Sequence, residues 1–179
     1  DNFFYGQSLG KKLKECLKLK KGAKIFLHPV AKPSLYGVAK IKDKKISKII
    51  EKPKKFISNL AVTGLYFFDN KVIQYSKKLK PSNRKETEII DLLKKYLSKK
   101  ELKAEFLGRG GAWLDTGSIK DFYDTSSFVS AIENRQGLKI ACLEEIAFNN
   151  KWISKKKILS AIKFYGKCNY SKYLQTLIT

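Results

Sequence analysis

Short apolar segments separated by turns occupy the first two thirds of the chain, whereas the last third repeats apolar residues at helical spacing. Alternating or continuously apolar segments predict strands, and apolar residues that recur every three or four positions predict helices. Strands are predicted at 24–30, 36–41, 45–51, 61–69, 102–107, 113–115 and 138–142. Helices are predicted at 8–20, 70–79, 86–98, 118–134, 144–149, 154–165 and 170–177, and Ser118 is the predicted N-cap of the fourth of them.

The segment 61–69 is the strongest predicted strand, because it is apolar on both faces, which is typical of a central strand. Gly64 within it predicts close approach by a ligand or by another part of the backbone. A hairpin at 36–51 makes the sheet mixed, and strands that alternate with helices elsewhere predict an α/β fold. We therefore expect an α/β domain over 1–136 and a helical region over 137–179.

The net charge of +22 and the pI near 9.9 are typical of nucleic-acid-binding proteins. The basic residues are nearly all lysines, scattered through every segment, and the only arginines are Arg84, Arg109 and Arg135. Arginine is the preferred side chain for base edges and for bidentate phosphate contacts. We interpret the lysine excess as compositional drift of the kind an AT-rich genome imposes. It predicts weak, nonspecific polyanion binding and no dedicated nucleic-acid partner.

Three further sequence features indicate the cellular compartment of the protein. No apolar run approaches the ~18 residues of a membrane-spanning helix, so no membrane partner is expected, and the first residues do not resemble a signal peptide. Cys16, Cys142 and Cys168 lack metal-ligand spacing, and the single histidine, His28, lies in a predicted strand, which argues against a zinc site. These features favour a cytoplasmic protein.

The run Gly-Arg-Gly-Gly-Ala-Trp-Leu-Asp-Thr-Gly at 108–117 carries the most chemical information. It predicts a short strand that ends by presenting Asp115 to a site, with Gly117 supplying a sharp exit. The plain alternative is an ordinary strand-to-helix turn in which Asp115 or Thr116 caps the helix.

Further strings accompany that run in a fixed order. They are Asp-Asn-Phe-Phe-Tyr-Gly at 1–6, Glu-Lys-Pro at 51–53, and the longer segments 59–69, 80–91 and 133–147. In this order and spacing they resemble the glucose-1-phosphate thymidylyltransferase family of bacterial sugar nucleotidyltransferases, over most of residues 1–153. The resemblance implies a Rossmann-like mixed sheet of the nucleotide-diphosphosugar transferase type, with a helical carboxyl-terminal region.

The resemblance also implies that family members carry a glycine-rich loop, with an arginine and a lysine that grip the nucleoside triphosphate, upstream of the position matched by the first residue. No such loop occurs in these 179 residues. We therefore expect the chain to be a carboxyl-terminal part lacking roughly one hundred residues and the amino-terminal half of the sheet. On this expectation the chain alone is inactive.

The reaction that the resemblance implies is transfer of a nucleotidyl group from dTTP to glucose 1-phosphate, which yields dTDP-glucose and pyrophosphate for dTDP-rhamnose and surface polysaccharide synthesis. The substrate supplies the nucleophile, so the protein needs Mg²⁺ and cationic side chains to offset phosphate charge. Asp1 and Asp115 match the metal ligands of the family, although a loop cap is the plain alternative for Asp1. Lys52 and Arg84 match catalytic phosphate contacts; a solvated loop arginine is the alternative for Arg84.

The family match assigns the sugar pocket to residues from several segments. Glu51 is expected to accept hydrogen bonds from sugar hydroxyls while Lys52 places its charge on the phosphate, although without the match a surface Glu-Lys pair would be the simpler interpretation. The remaining substrate-binding residues are Tyr36, Gly37, Val62, Tyr66 and Trp113, and Trp113 could instead be a core residue. A regulatory nucleotide site and a homotetramer are further implications, with the helical region over 137–179 expected to form a subunit contact or the regulatory site. The matching regulatory residues are Tyr5, Gly6, Lys139 and Glu144.

Some positions depart from the family pattern and put loop geometry in doubt. They are Ile50, Lys85, Thr87 and Leu143. Three alternatives remain open at this point: a sibling enzyme that uses UTP, a noncatalytic basic binding module, and a partial enzyme that no longer turns over.

Overall fold

The computed structural model describes residues 2–82 and 85–179, and the chain divides into two compact units at 117–118. The strands are β1 (Asn2–Tyr5), β2 (Ala23–Pro29), β3 (Gly37–Lys42), β4 (Lys45–Glu51), β5 (Leu60–Phe68), β6 (Leu102–Phe106) and β7 (Ala112–Asp115). The helices are α1 (Leu9–Cys16), α2 (Lys71–Ser76), α3 (Ile89–Ser98), α4 (Ile119–Gln136), α5 (Leu143–Asn149), α6 (Lys155–Tyr165) and α7 (Asn169–Thr176), and a short 3₁₀ turn spans Pro33–Leu35.

A five-stranded sheet with the order β4-β3-β5-β2-β6 organises the first unit. β2 and β6 are parallel and the other neighbours are antiparallel, which confirms the predicted mixed sheet. β5 lies third of five, as its continuous apolar sequence predicts. Asp43 and Lys44 both hold positive φ, of 50° and 61°. Positive φ at both central residues is the requirement of the tight turn that closes a two-residue hairpin, here between β3 and β4.

The sheet is buried on both faces. Along β2, Ile25 and Leu27 pack on one side against α3, whose Leu93 and Tyr96 are fully buried. Phe26 points to the other side, because successive side chains of a strand face in opposite directions. There it packs in a second cluster with Cys16, Ala61, Leu107 and Trp113.

β1 and β7 form a separate two-stranded antiparallel sheet that pairs Asn2 with Asp115. No strand is predicted at 2–5, because four residues with one polar position show no clear alternation. The pairing joins segments more than one hundred residues apart and brings Asn2 beside the carboxylate at the end of β7.

The second unit is helical. Ser118 caps α4, since its Oγ accepts a hydrogen bond from the Asp121 N–H at 3.1 Å, as predicted. Its core is made by Cys142, Ile158, Tyr173, Leu174 and Ile178. The compact units divide before α4, whereas the sequence predicts a boundary after this helix, at 136–137.

The strand predicted at 138–142 is wrong. This segment turns back on α4, with a positive φ of 54° at Ala141 and the Ile140 N–H donating to Glu133 Oε1 at 2.9 Å. A short apolar run forms a strand only where a neighbouring strand accepts its backbone hydrogen bonds, and here a glutamate side chain meets that need. Among the described residues, no helix is long and apolar enough to span a bilayer.

Candidate active site

One cleft of about 230 Å³ in the first unit collects residues from six separate segments. Its lining consists of Asn2, Leu35, Tyr36, Gly37, Glu51, Lys52, Val62, Gly64, Tyr66, Ile89, Ile90, Trp113 and Asp115. All seven residues assigned to substrate binding by resemblance lie in this list, together with Asp115. Five cleft residues were not singled out for a site: Asn2, Leu35, Gly64, Ile89 and Ile90. Of these five, only Gly64 could be noticed from the sequence, because it is a glycine within the strongest predicted strand.

The paired ends of β3 and β4 build one wall of the cleft. Gly37 lies opposite Glu51 in the antiparallel register, and the Lys52 N–H donates to the Tyr36 carbonyl at 3.0 Å. A Cβ on Gly37 would stand 2.6 Å from Ile90 Cδ1 and 3.1 Å from Glu51 Oε2. A side chain at position 37 would therefore force the Ile90 side chain and the Glu51 carboxylate to shift, so Gly37 lets both lie close to the β3 backbone.

Lys52 holds a φ of +40°, which is uncommon for a residue with a Cβ. Such a conformation costs on the order of 1 kcal/mol and persists only where the surroundings impose it. Here the hydrogen bond to Tyr36 and the buried ring of Pro53 fix the backbone on both sides. Strained residues of this kind concentrate at functional sites, which agrees with the placement of Lys52 at the cleft.

The floor of the cleft is formed by a contact that joins β1, β5 and β7. Trp113 Nε1 donates to Asn2 Oδ1 at 2.8 Å, and the Tyr36 ring meets the indole edge-on with centroids 5.0 Å apart. A Cβ on Gly64 would stand 2.6 Å from Asn2 Nδ2, and Gly64 holds a φ of +66°. A close approach does occur at Gly64, but the side chain of Asn2 makes it, and not another part of the backbone as one of the two predicted alternatives had it.

Tyr66 and Asp115 contribute the remaining polar groups. Burial, together with the negative charge of Glu51, raises the pKa of Tyr66 to about 12, so the phenol stays neutral at physiological pH. Asp115 Oδ1 accepts a hydrogen bond from the Gly117 N–H at 3.0 Å, which orients the carboxylate at the end of β7. The cleft thus offers two carboxylates, an ammonium group and a phenol hydroxyl to a polar ligand.

The other predicted site residues lie elsewhere. Asp1 and Arg84 fall outside the described residues. Tyr5 is the last residue of β1. Gly6 comes next in the sequence and lies close to the backbone of Gly111.

Lys139 and Glu144 belong to the second unit, and both have structural partners there. Lys139 pairs with Glu133, and Glu144 accepts hydrogen bonds from the hydroxyls of Tyr165, at 3.0 Å, and Tyr170, at 2.5 Å. The regulatory role of these residues stays a prediction.

His28 lies in β2, as predicted for a strand residue. Burial lowers the pKa of its imidazole, and the ring meets Trp113 edge-on with centroids 6.4 Å apart. These contacts are those of a packed strand side chain.

A family model described as nucleotidyl transferase matches residues 1–132, which is about three quarters of the chain. The chain belongs to the nucleotidyl transferase family. This membership and the mixed sheet confirm the fold expected from the resemblance.

Curated relatives place the chain within that family more closely. It is 43% identical over 179 residues to a glucose-1-phosphate thymidylyltransferase of Neisseria meningitidis and 41% identical to one of Mycobacterium tuberculosis. Each match covers 99% of this chain and 62% of the relative, so the chain spans less than two thirds of the relatives' length. The similarity therefore extends beyond residue 153, where the sequence motifs end.

Solved structures show the same fold. A structure described as a glucose-1-phosphate thymidylyltransferase of Bacillus anthracis, in complex with sucrose, aligns with a TM-score of 0.63 at 38% identity. The alignment covers 72% of this chain and 51% of that one. A UDP-glucose pyrophosphorylase complexed with UDP-glucose aligns with a TM-score of 0.53 at 25% identity, over 68% of this chain and 46% of that one.

Proposed function

We propose that the cleft binds glucose 1-phosphate, and that the protein transfers a thymidylyl group from dTTP to it, yielding dTDP-glucose and pyrophosphate. The observation that carries this proposal is the convergence of the seven expected substrate-binding residues and Asp115 on one cleft. The thymidylyltransferase relatives, at 41% and 43% identity, support the same reaction.

In this reaction a phosphate oxygen of glucose 1-phosphate attacks the α-phosphorus of dTTP. A new P–O bond forms, the bond to the bridging oxygen of the β-phosphate breaks, and pyrophosphate leaves with that electron pair. The protein supplies no nucleophile. The protein aligns the attacking phosphate with the α-phosphorus and the leaving pyrophosphate, and it offsets their negative charge. Lys52 carries its charge next to the sugar phosphate, and Glu51 and Tyr66 hold sugar hydroxyls through hydrogen bonds.

The donor set of the cleft fits Mg²⁺. This ion prefers hard oxygen ligands and takes one or two protein carboxylates together with substrate phosphates. Asp115 supplies such a carboxylate at the end of β7. Asp115, together with Asp1, would hold the ion, and a bound Mg²⁺ would offset the negative charge of the phosphates.

The comparisons support dTTP as the nucleotide. Relatives named for thymidylyl transfer reach 43% identity, whereas the UDP-glucose enzyme reaches 25%. We therefore place dTTP first, with UTP as the alternative base. From the sequence features and the family resemblance, we further propose a cytoplasmic, homotetrameric enzyme that feeds dTDP-rhamnose synthesis for surface polysaccharides.

The test measures pyrophosphate release from glucose 1-phosphate by the full encoded protein that contains these residues, with dTTP and UTP compared. We expect dTTP to be preferred. Asp115→Asn should lower kcat roughly 100-fold or more while the circular dichroism spectrum is unchanged, because charge is removed where transition-state charge develops. Asp43→Asn, which changes an exposed carboxylate at the hairpin turn, is the matched control and should retain activity. An unimpaired Asp115→Asn protein would overturn the metal role.

A further inference from the structure

The final thirty residues differ in charge from the rest of the chain. Residues 150–179 contain seven lysines and no aspartate or glutamate, whereas all 16 acidic residues lie before them. A general drift of the composition towards lysine would leave some aspartate or glutamate in residues 150–179, as it does in the rest of the chain. The lysines are Lys151, Lys155, Lys156, Lys157, Lys163, Lys167 and Lys172.

The helix α6 sorts these residues onto two faces. Ile158 is fully buried, and Ala161 and Ile162 pack with it against the core that α7 completes. Lys156 and Lys163 lie on the opposite, exposed face, seven positions apart and therefore two turns apart on the same side.

Two large aromatic side chains accompany the exposed lysines. Phe164 is 84% exposed and lies two turns from Lys157 on the same side of α6. Lys157 in turn lines an open groove of about 760 Å³ with Lys151 and Trp152, and Trp152 is 73% exposed. We call Lys151, Trp152, Lys156, Lys157, Lys163 and Phe164 the basic aromatic face.

Local contacts hold the Phe164 ring and the backbone at Trp152, although both aromatic side chains face outwards. The Phe164 ring meets Tyr165 edge-on with centroids 5.2 Å apart, and the Tyr165 hydroxyl donates to Glu144 at 3.0 Å. The backbone N–H of Trp152 donates to the Ala147 carbonyl at 2.8 Å, which fixes the main chain at this residue. Large apolar side chains that are exposed among cations are typical of a surface that binds a partner.

We propose that the basic aromatic face binds the surface of an anionic phospholipid bilayer. Lysines near such a surface each strengthen binding about fivefold, and aromatic rings enter the boundary between headgroups and acyl chains. Peripheral contact of this kind needs no apolar run of spanning length, so the absence of such a run from the sequence does not exclude it. The inference is independent of the proposed catalytic function.

The composition of the face favours a bilayer over two other partners. Residues 150–179 contain no arginine, the side chain that nucleic-acid contacts favour. Leu159 is 47% exposed beside these lysines, and its burial among acyl chains would be favourable, whereas an aliphatic side chain cannot stack on a base. A second copy of the same face would bring like charges together, which disfavours symmetric self-association.

The experiment is flotation of the 179-residue chain with vesicles of phosphatidylcholine alone or mixed with phosphatidylglycerol, at physiological ionic strength. We expect binding to the mixed vesicles only, with a blue shift of Trp152 emission. The double variant Lys156→Glu/Lys163→Glu should weaken binding about 25-fold or more. Phe164→Ala should also weaken it, and the emission shift should vanish in Trp152→Ala.

Matched controls come from the first unit. Phe56→Ala removes a phenylalanine that is 77% exposed, and Lys40→Glu/Lys48→Glu reverses two exposed lysines that pair across β3 and β4. These variants should bind as the parent does. Equal binding to both vesicle types, no binding to either, equal loss in the controls, or tighter binding to an oligonucleotide at the same ionic strength would each overturn the proposal.

Discussion

Gly64→Ala tests the contact that forms the floor of the cleft. Two costs follow from the structure. An alanine at a φ of +66° costs about 1–2 kcal/mol of left-handed strain. Its Cβ would also stand 2.6 Å from Asn2 Nδ2, so Asn2 must move. That movement breaks the 2.8 Å hydrogen bond from Trp113 and leaves a buried indole N–H unpaired, at about 1–3 kcal/mol. We expect a total loss of about 2–5 kcal/mol in the free energy of unfolding.

Gly108→Ala separates the two costs. Gly108 holds a φ of +81°, but a Cβ there would meet nothing within 4 Å, so it reports the left-handed strain alone. The lower entropy of the unfolded chain contributes equally to both variants and cancels in the comparison. The expected difference between them is therefore the cost of displacing Asn2, about 1–3 kcal/mol.

Urea unfolding in a Trp152→Phe background measures this difference, because Trp113 is then the only tryptophan and reports on the first unit alone. Trp113 is 9% exposed, so its emission should shift strongly on unfolding. If Gly64→Ala costs no more than Gly108→Ala, the floor contact between Asn2 and Trp113 contributes nothing and the reasoning fails.

Three other predictions concern charge. In the full encoded protein, Lys52→Ala should raise the KM for glucose 1-phosphate more than that for dTTP, with Lys55→Ala as the control from the same loop; equal effects on both substrates would contradict the assigned role. Burial opposes ionisation of Asp69, but hydrogen bonds from the Gly22 N–H, the Tyr96 hydroxyl and the Lys71 N–H outweigh it and lower its pKa. Its stabilising contribution is therefore present above about pH 4 and is lost as pH falls through the depressed pKa, so Asp69→Asn should lower stability at pH 7 and flatten the acid side of a pH titration of unfolding. Binding to DNA should be weak, independent of sequence and lost near physiological salt in a fluorescence anisotropy titration; tight, selective binding would favour the basic binding module.

Local patterns were sufficient to predict much of the fold. The hairpin of β3 and β4 follows from alternating apolar residues on either side of a short polar turn, and the cap of α4 follows from a serine placed just before an amphipathic segment. The central position of β5 follows from its apolar residues on both faces. In each case the signal lies within a few neighbouring residues, and tertiary packing agrees with it.

Nonlocal contacts could not be predicted in this way. β1 is recognisable only from its partner β7, and the hydrogen bond between Asn2 and Trp113 joins residues 111 positions apart. Ile89 and Ile90 enter the cleft because α3 packs over the sheet, and nothing in their own segment marks them as more than buried helix residues. The false strand at 138–142 has the same origin, since strand formation depends on a partner that the segment itself does not contain.

The most direct test of the central claim is a crystal structure of the chain with glucose 1-phosphate bound. The account predicts that the sugar occupies the cleft between β3, β4 and β7, with its hydroxyls on the Glu51 carboxylate and its phosphate on the Lys52 ammonium group. A sugar phosphate bound elsewhere, with Glu51 and Lys52 making no contact to it, would contradict the assignment of this cleft as the sugar-phosphate site.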